Sequence, residues 1–334
     1  MRPARATAAA VTTVIGVGTA AVAAGRYASD VVLKPSGRPL PGDPRLTVHA
    51  TAAGRITLTR CLASLRPGTY GLESTEIQAV VGPVMDDVPH RADTVVRRLE
   101  RVGLGTLGAG SRVRLTPWLH RGDPATALGI AYDRVEIPGE LGALPGWFVP
   151  GSRDTWVITA HGLGSTLEHP MNVLEFLVDQ RLPVLNLAYR GDHGAPRSPD
   201  GLGHLGDSEW RDLDAAIRFA VRVGAEHVVL YGWSVGATMA LHAAGKSGLR
   251  DRISGLVLDS PVLDWERTLR ALATARRTPG PLLPLAVRAA QGRTGLRGGR
   301  LPVVADPGTL DVPTLILHGP DDVLAPWYPS REPV

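Results

Sequence analysis

The sequence predicts an α/β protein with a mostly parallel sheet, preceded by an N-terminal membrane or signal helix and a small β-rich region. After about Ile130, near-continuous apolar runs such as WVITA, HVVLY and TLIL alternate with helix-like segments. That alternation is typical of buried parallel strands joined by helical crossovers. Before that point, alternating runs such as LTVHA and RITLT are separated by Gly, Pro and Asp, as in small β domains.

The composition excludes several classes of protein. Of the 334 residues, 44% are hydrophobic and 20% are charged, so the chain can bury a core and is neither disordered nor fibrous. A single cysteine, Cys61, excludes a disulfide scaffold and a cysteine-rich metal site. Aromatic residues are only 5% and the basic residues are interspersed with acids, which argues against a nucleic-acid partner. His49, His90 and His120 have no neighbouring ligand pattern, so we expect no metal site.

Residues 1–33 predict a signal peptide or a transmembrane anchor. Arg2 and Arg5 precede an uncharged stretch from Thr7 to Gly25, which is about long enough to cross a bilayer. A cleaved signal peptide, with small residues near Ala21 as the cleavage site, fits as well as an uncleaved span. We favour a single anchor with the bulk of the chain outside the cytoplasm, and secretion is the alternative.

The rest of the chain divides into three parts. Residues 34–44, KPSGRPLPGDP, predict a linker because proline cannot continue a helix. Residues 45–130 form the β-rich region, which carries no recognisable chemistry. Residues 131–334 form the α/β domain. Within it, the segment of about 265–304 is rich in Arg, Pro and Gly and interrupts the alternation, so we interpret it as a lid.

One helix of the α/β domain is predicted in detail. Trp210, Leu213 and Ile217 recur at helical spacing, which predicts a helix from about Ser208 to Val223. Asp207, which immediately precedes this segment, is the expected N-cap.

The motif GWSVG lies between the run HVVLY and a helix-like segment of small residues. A strand, a tight turn and a helix in this order are the context of a nucleophile elbow, with Ser234 as the nucleophile. Gly232 and Gly236 allow the strand and the helix to approach each other closely. A serine that merely caps a helix would not require the flanking glycines.

The motif HGLGST follows the run WVITA. Its glycines, Gly162 among them, allow backbone amides to turn toward the nucleophile. The N–H groups of Leu163 and Val235 are therefore the expected oxyanion hole. We expect His161 to orient this loop and not to serve as the base.

The motif LHGPDDVLAP follows the run TLIL. Asp322 is the expected acid of a catalytic triad, and Asp321 is the near alternative. A plain acidic turn is the competing interpretation, because Asp is common in loops after strands.

In this order, HGLGS, GWSVG and HGPDD resemble the α/β-hydrolase superfamily, and most closely its serine aminopeptidase or lysophospholipase-like branch. The stretch from Tyr189 to Ile217 is similar to exported or membrane-anchored hydrolases of an actinobacterial type rich in Arg and Ala. The resemblance covers about residues 130–334. It implies acyl transfer to water, with Ser234 as nucleophile, Leu163 and Val235 as oxyanion donors and Asp322 as acid. It implies no cofactor.

The resemblance also implies a catalytic histidine after the acid, beyond one further strand. The last histidine of this chain is His318, before Asp322. We therefore expect a C-terminally truncated hydrolase that lacks its last strand and its base and is inactive or nearly so. His193 and His204 are the alternative bases, and we disfavour both.

Two functions remain open from the sequence. The first is hydrolysis of esters or related small-molecule or lipid-like acyl compounds, including peptides, through an acyl-enzyme on Ser234. The second is a non-catalytic, exported or membrane-tethered scaffold that binds an acyl ligand or a partner. A nucleotide-binding fold is disfavoured because HGLGST lacks the P-loop lysine.

Overall fold

The computed structural model of the chain describes residues 25–27, 29–30, 33–34, 44–275, 277–295, 311–319, 322 and 324–325. The chain forms two compact units. The barrel unit comprises Pro39–Tyr132 and Leu167–Asp179. The sheet unit comprises the residues up to Arg38, Asp133–Thr166 and Gln180–Val334.

Six antiparallel strands close the barrel in the order β1-β2-β5-β4-β3-β6. They are β1 (Leu46–Ala52), β2 (Arg55–Thr59), β3 (Tyr70–Glu73), β4 (Gln78–Val84), β5 (Thr94–Leu104) and β6 (Arg112–Thr116). Alternate side chains point inward and form an apolar core, which includes Leu46, Val48, Ile56, Leu58, Leu72, Val81, Val95 and Val113. This region is where the sequence predicted β structure without recognisable chemistry.

Two short helices complete the barrel unit, α1 (Pro124–Leu128) and α2 (Met171–Asp179). Asp123 and Thr126 form a capping box at the start of α1, and Gly129 ends it in the left-handed conformation with φ 69°. The residues around α2 also hold the segment after β6. Asn172 accepts a hydrogen bond from the Leu119 N–H at 3.1 Å and donates one to the Pro117 carbonyl at 2.7 Å.

The sheet unit contains seven strands in the order β13-β12-β11-β9-β10-β8-β7. They are β7 (Asp133–Gly139), β8 (Gly142–Val149), β9 (Thr155–Ala160), β10 (Val184–Leu187), β11 (His227–Trp233), β12 (Ile253–Asp259) and β13 (Thr314–Leu317). The β7–β8 and β8–β10 pairs are antiparallel and the other pairs are parallel. The prediction of a mostly parallel α/β sheet is confirmed.

Four helices belong to this unit: α3 (Trp210–Val223), α4 (Val235–Lys246), α5 (Trp265–Ala275) and α6 (Leu283–Thr294). Helix α4 directly follows β11 and is buried from Val235 to Ala244. Its small residues allow it to lie close to the sheet, which fixes the position of the turn between β11 and α4. The predicted lid segment contains α5 and α6, and residues 296–304 of it lie outside the described residues.

The predicted N-cap of α3 is wrong. The helix begins at Trp210 after Glu209, and no side chain caps it. Asp207 lies instead 3.7 Å from the His242 ring and 3.9 Å from the Lys246 ammonium group, both on α4. The Glu209 carboxylate accepts the backbone N–H groups of His204 and Gly206, which holds the chain in a turn before the helix.

The end of the predicted anchor segment packs within the sheet unit. Ser29 and Leu33 are buried. Arg293 of α6 donates to the Ser29 hydroxyl at 2.8 Å and forms an ion pair with Asp30, and the Gly203 N–H donates to the Leu33 carbonyl at 2.7 Å. Among the described residues, no helix is long and apolar enough to span a bilayer. The uncharged stretch up to Ala24 lies outside those residues.

Strand β13 differs from its predicted buried environment. Leu315 is 54% exposed and Leu317 is 41% exposed. The strand pairs with β12 and stands at the end of the strand order among the described residues.

Candidate active site

The three predicted motifs follow β9, β11 and β13; β9 and β11 are neighbours, and β12 separates β11 from β13. Strand β11 lies between β9 and β12, and the pairing places Gly232 beside Ala160 and Trp233 beside Asp259. The pairing of β12 with β13 places Asp259 beside Leu317. Because these strands are parallel, the loops that carry the motifs leave the same edge of the sheet, where ligands bind in such folds.

Ser234 occupies a strained turn between β11 and α4. Its φ of 51° and ψ of −111° lie in a region that residues other than glycine rarely adopt. The backbone holds this conformation because the Ser234 N–H donates to the Asp259 carbonyl at 2.7 Å and the Ser234 carbonyl accepts the Thr238 N–H at 3.2 Å. The Ser234 side chain is half-buried, and among the described residues no group hydrogen-bonds its hydroxyl.

Both glycines of the motif are required by close backbone approaches. A Cβ on Gly232 would lie 2.3 Å from the Gly236 carbonyl carbon and oxygen. A Cβ on Gly236 would lie 2.0 Å from the Ala160 carbonyl oxygen. The motif therefore brings the strand, the helix and the end of β9 into direct backbone contact, which agrees with a nucleophile elbow.

The loop after β9 passes next to the serine. A Cβ on Gly162 would lie 3.2 Å from the Ser234 Cβ. The Val235 N–H is at the first position of α4, where a helix offers no intrahelical acceptor. Among the described residues, no acceptor bonds the N–H of Leu163 or of Val235. Two unsatisfied amides in the segments that meet at Ser234 are what an oxyanion hole requires.

His161 is fixed between two acceptors. Its Nε2 lies 2.9 Å from the Asp192 carboxylate and its Nδ1 lies 3.0 Å from the Gly162 carbonyl, and its ring stacks on Tyr189. Burial lowers the pKa of His161, but the charge and the hydrogen bond of Asp192 outweigh it and the net pKa is raised. Both ring nitrogens of His161 therefore face acceptors, and its role in orienting the loop stays a prediction.

Asp322 is held by its own loop. Its Oδ1 accepts the N–H groups of Leu324 at 2.8 Å and Ala325 at 2.9 Å. Its Oδ2 lies 3.9 Å from His318 Nε2, and that nitrogen lies 2.7 Å from the Ala325 carbonyl. The alternative acid Asp321 lies outside the described residues.

A second carboxylate, which the sequence analysis missed, ends the strand that lies between β11 and β13. Asp259 ends β12, and its carboxylate accepts the Ser260 hydroxyl at 3.1 Å. Burial raises the pKa of Asp259, and the nearby charge of Asp322 raises it further. The sequence signal was the run ISGLVLDS, which ends in Asp next to the nucleophile strand.

The two alternative bases do not contact the serine. The ring of His204 lies 3.0 Å from the Asp200 carboxylate and 3.0 Å from the Ser208 hydroxyl. His193 is exposed in the loop after β10. Within the described part of the chain, no cluster of three His, Cys, Asp or Glu side chains could hold a metal ion.

Two family models match this chain. Residues 155–278 match a family described as "alpha/beta hydrolase fold", and residues 47–116 match a domain of unknown function, DUF8805. The first match contains Ser234 and the segments that carry Leu163 and Val235. The second coincides with the strands of the barrel. No curated protein sequence matches the chain.

Similar solved structures are esterases. An esterase of Pyrococcus furiosus is 25% identical, with a TM-score of 0.51 over 63% of this chain and 78% of that chain. An esterase of Thermogutta terrifontis is 21% identical, with a TM-score of 0.41 over 58% of this chain and 82% of that chain. A carboxyl esterase of the fungus Tuber melanosporum is 16% identical, with a TM-score of 0.43 over 61% and 70% of the two chains.

Proposed function

We propose that the chain is an α/β-hydrolase that hydrolyses carboxylic esters or related small acyl compounds through an acyl-enzyme on Ser234. The support is the family match over residues 155–278 and the similarity to a solved esterase. The observation that supports this most directly is the strained conformation of Ser234 at the start of α4, next to two amides without acceptors. Strain of this kind persists where surrounding structure imposes it, and it is common at catalytic residues.

In the proposed reaction, the Ser234 oxygen attacks the acyl carbon of the ester, and its proton passes to a water molecule or to an added base. The carbonyl oxygen takes up the negative charge, and the N–H groups of Leu163 and Val235 bind it. Loss of one such donor costs about 10² to 10³ in rate in known hydrolases. The intermediate expels the alcohol, which takes up a proton, and leaves the acyl group on Ser234. Water then releases the acid and restores the serine.

The proposed acid is Asp322. Two backbone N–H groups hold one of its carboxylate oxygens, and the other oxygen is directed to the same side as His318. A triad acid orients an imidazole and stabilises its charged form. Among the described residues, no imidazole hydrogen-bonds the Ser234 hydroxyl, so we expect slow turnover that rests on the oxyanion hole.

The experiment is ester hydrolysis by the full chain with p-nitrophenyl butyrate. We expect a slow rate above buffer that Ser234→Ala abolishes. Ser254→Ala is the matched control, because Ser254 lies at the opposite end of the sheet near the start of β12. Added imidazole should increase the wild-type rate above that of imidazole in buffer alone, and the rate of Ser234→Ala should equal that of imidazole in buffer. A Ser234→Ala rate equal to that of wild type would refute the assignment of the nucleophile.

The second candidate is a non-catalytic scaffold that binds an acyl ligand. The observation that favours it is the Ser234 hydroxyl, which no described residue hydrogen-bonds. This candidate predicts saturable binding of a non-hydrolysable ester analogue without turnover, with or without imidazole. Turnover that depends on Ser234 would contradict it.

For the location of the chain we propose a single N-terminal anchor with the bulk of the protein outside the cytoplasm. The support is the uncharged stretch that follows Arg2 and Arg5. An anchored chain should stay in the membrane pellet after extraction at alkaline pH, whereas a secreted chain should appear in the medium without its first residues.

A further inference from the structure

The barrel unit contains a cavity with a volume of about 230 Å³, roughly that of eight water molecules. Its walls come from β3, β4, β5, the end of β6 and the segment that leads to α1. Every lining residue belongs to the barrel unit, so the cavity is independent of the Ser234 site. The matching family model assigns no function to this domain.

The wall formed by residues 117–122 is held in place from α2 and the residues before it. Asn172 bonds both the Pro117 carbonyl and the Leu119 N–H. Glu168 accepts the Gly122 N–H at 2.8 Å and an Arg121 N–H at 2.9 Å. Because four hydrogen bonds already fix this wall, it loses little conformational entropy when a ligand binds, which favours binding.

Two arginines and one glutamate give the lining its charge. Arg121 is neutralised, because its guanidinium pairs with Glu73 at 2.5 Å and with Glu168 at 2.9 Å. Arg101 differs: its Nη2 donates to the Leu119 carbonyl at 2.5 Å and lies 3.0 Å from His120 Nδ1. Among the described residues, no carboxylate pairs with Arg101, and its Nε and Nη1 have no acceptor.

Part of the cavity wall is apolar, and the wall lacks a side chain at one point. Trp118 and Leu119 line it, and Arg121 packs over the Trp118 ring with its guanidinium carbon 4.9 Å from the ring centre. Gly103 of β5 lies in the lining, where an added Cβ would meet only the Gln78 carbonyl at 3.7 Å. No steric contact therefore requires glycine at this position, and its absent side chain leaves room in the cavity.

We propose that this cavity binds a small organic monocarboxylate, whose anionic group pairs with Arg101 and whose apolar tail lies against Trp118 and Leu119. One uncompensated guanidinium matches a single negative charge, because the other charged side chains of the lining, Arg121 and Glu73, pair with each other. A hydrogen bond between two charged groups is about twice as strong as a neutral one, which gives the arginine its role as anchor. Carboxylic acids are also products of ester hydrolysis, but the proposal does not depend on Ser234.

The test is calorimetric titration of the full chain with straight-chain monocarboxylates from acetate to hexanoate. We expect saturable binding whose affinity rises with tail length until the cavity is full. Arg101→Gln should weaken it about tenfold or more, because it removes the charged partner. Gly103→Val should weaken it as strongly by filling the cavity. Gly108→Val is the matched control, since Gly108 does not line the cavity and a Cβ there meets nothing within 4 Å. Thermal unfolding checks that each variant folds.

Three results would overturn the proposal. They are the absence of saturable binding, binding that inorganic phosphate or hexanol reproduces, and binding that survives both Arg101→Gln and Gly103→Val. In the third case the carboxylate occupies another site, and loss of binding in Ser234→Ala would locate it at the serine. Failure of the proposed hydrolysis would leave all three results unaffected, because neither Arg101 nor Gly103 lies in the sheet unit.

Discussion

The barrel unit and the sheet unit each bury an arginine, and they stabilise its charge in different ways. Arg97 of the barrel is fully buried and donates to four backbone carbonyls, those of Ser64, Arg66, Gly68 and Gly82, at 2.6 to 3.0 Å. Arg190 of the sheet unit, 6% exposed, makes two side-chain bonds to Asp212 at 2.7 and 2.8 Å and one to Glu140 at 3.1 Å. Burial lowers the pKa of Arg97. For Arg190, Asp212 outweighs the effect of burial and raises the pKa.

The two buried arginines hold different parts of the chain in place. The four carbonyls around Arg97 belong mostly to the loop between β2 and β3, so its guanidinium replaces secondary structure in fixing that loop. Asp212 of α3 also accepts the backbone N–H of Arg190 at 2.8 Å. Two residues further on, Asp192 accepts the Tyr189 N–H and bonds His161. In the sheet unit the buried ion pair therefore positions the loop that supports the candidate active site.

Loss of the buried Asp212 carboxylate should lower the free energy of unfolding more than the substitutions that follow. Asp212→Asn leaves Arg190 buried with one exposed partner, and we expect a loss of about 3 to 5 kcal/mol in the free energy of unfolding. Glu140→Gln is the control, because the Glu140 side chain is 53% exposed and such pairs contribute at most about 1 kcal/mol. Denaturant unfolding measures both. Equal losses for the two variants would show that burial does not decide the strength of this network.

Removal of the barrel arginine should cost somewhat less. Arg97→Met leaves four carbonyls without their donor but buries no unpaired charge, so we expect a loss of about 3 kcal/mol. Arg98→Met, one residue along β5 and largely exposed, should change the stability by less than about 0.5 kcal/mol. If Arg97→Met is as mild as Arg98→Met, water replaces the guanidinium, and the loop does not depend on it.

A buried histidine of the sheet unit, His242, should make the stability of this unit depend on pH. Burial and the charge of Lys246 lower the pKa of His242 on α4 to about 4, although Asp207 opposes them. The unfolded chain takes up this proton near pH 6.5, whereas the folded chain takes it up only near pH 4. The sheet unit should therefore lose up to about 3 kcal/mol as the pH falls from 6.5 to 4.

The variant His242→Gln tests this pH dependence. Its free energy of unfolding should depend less on pH than that of wild type over the same range, with a difference of up to about 3 kcal/mol between pH 7 and pH 4. His193→Gln, at an exposed position of the same unit, should keep the wild-type dependence. Parallel curves for wild type and His242→Gln would mean that the histidine gains a partner when it is protonated.

Local pattern in the sequence predicted much of the sheet and of the candidate site. Five apolar runs of the α/β domain form β9 to β13 in the order WVITA, LPVLNL, HVVLY, ISGLVLD and TLIL. They could be predicted because length and apolar continuity are properties of each strand alone. The glycines around Ser234 identified the elbow because the close backbone contacts of Gly232 and Gly236 admit no other residue. Motifs whose residues are adjacent in the chain can be recognised without knowledge of tertiary contacts.

Features that depend on contacts between distant segments were missed. Asp259 resembles any aspartate at a strand end, and its proximity to Asp322 follows only from the pairing of β12 with β13. Asp207 was expected to cap α3, but its place near His242 depends on how α4 packs. The cavity of the barrel unit likewise depends on the position of residues 117–122 relative to β3 and β5.

If Ser234 is a nucleophile, a fluorophosphonate should modify it covalently. The intact mass of the full chain after exposure to this reagent tests the assignment. We expect one phosphonyl adduct on wild type, located on Ser234 by peptide mapping. We expect the same adduct on Ser254→Ala and none on Ser234→Ala. An adduct that persists on Ser234→Ala, or a wild-type chain that stays unmodified with and without imidazole, would contradict it.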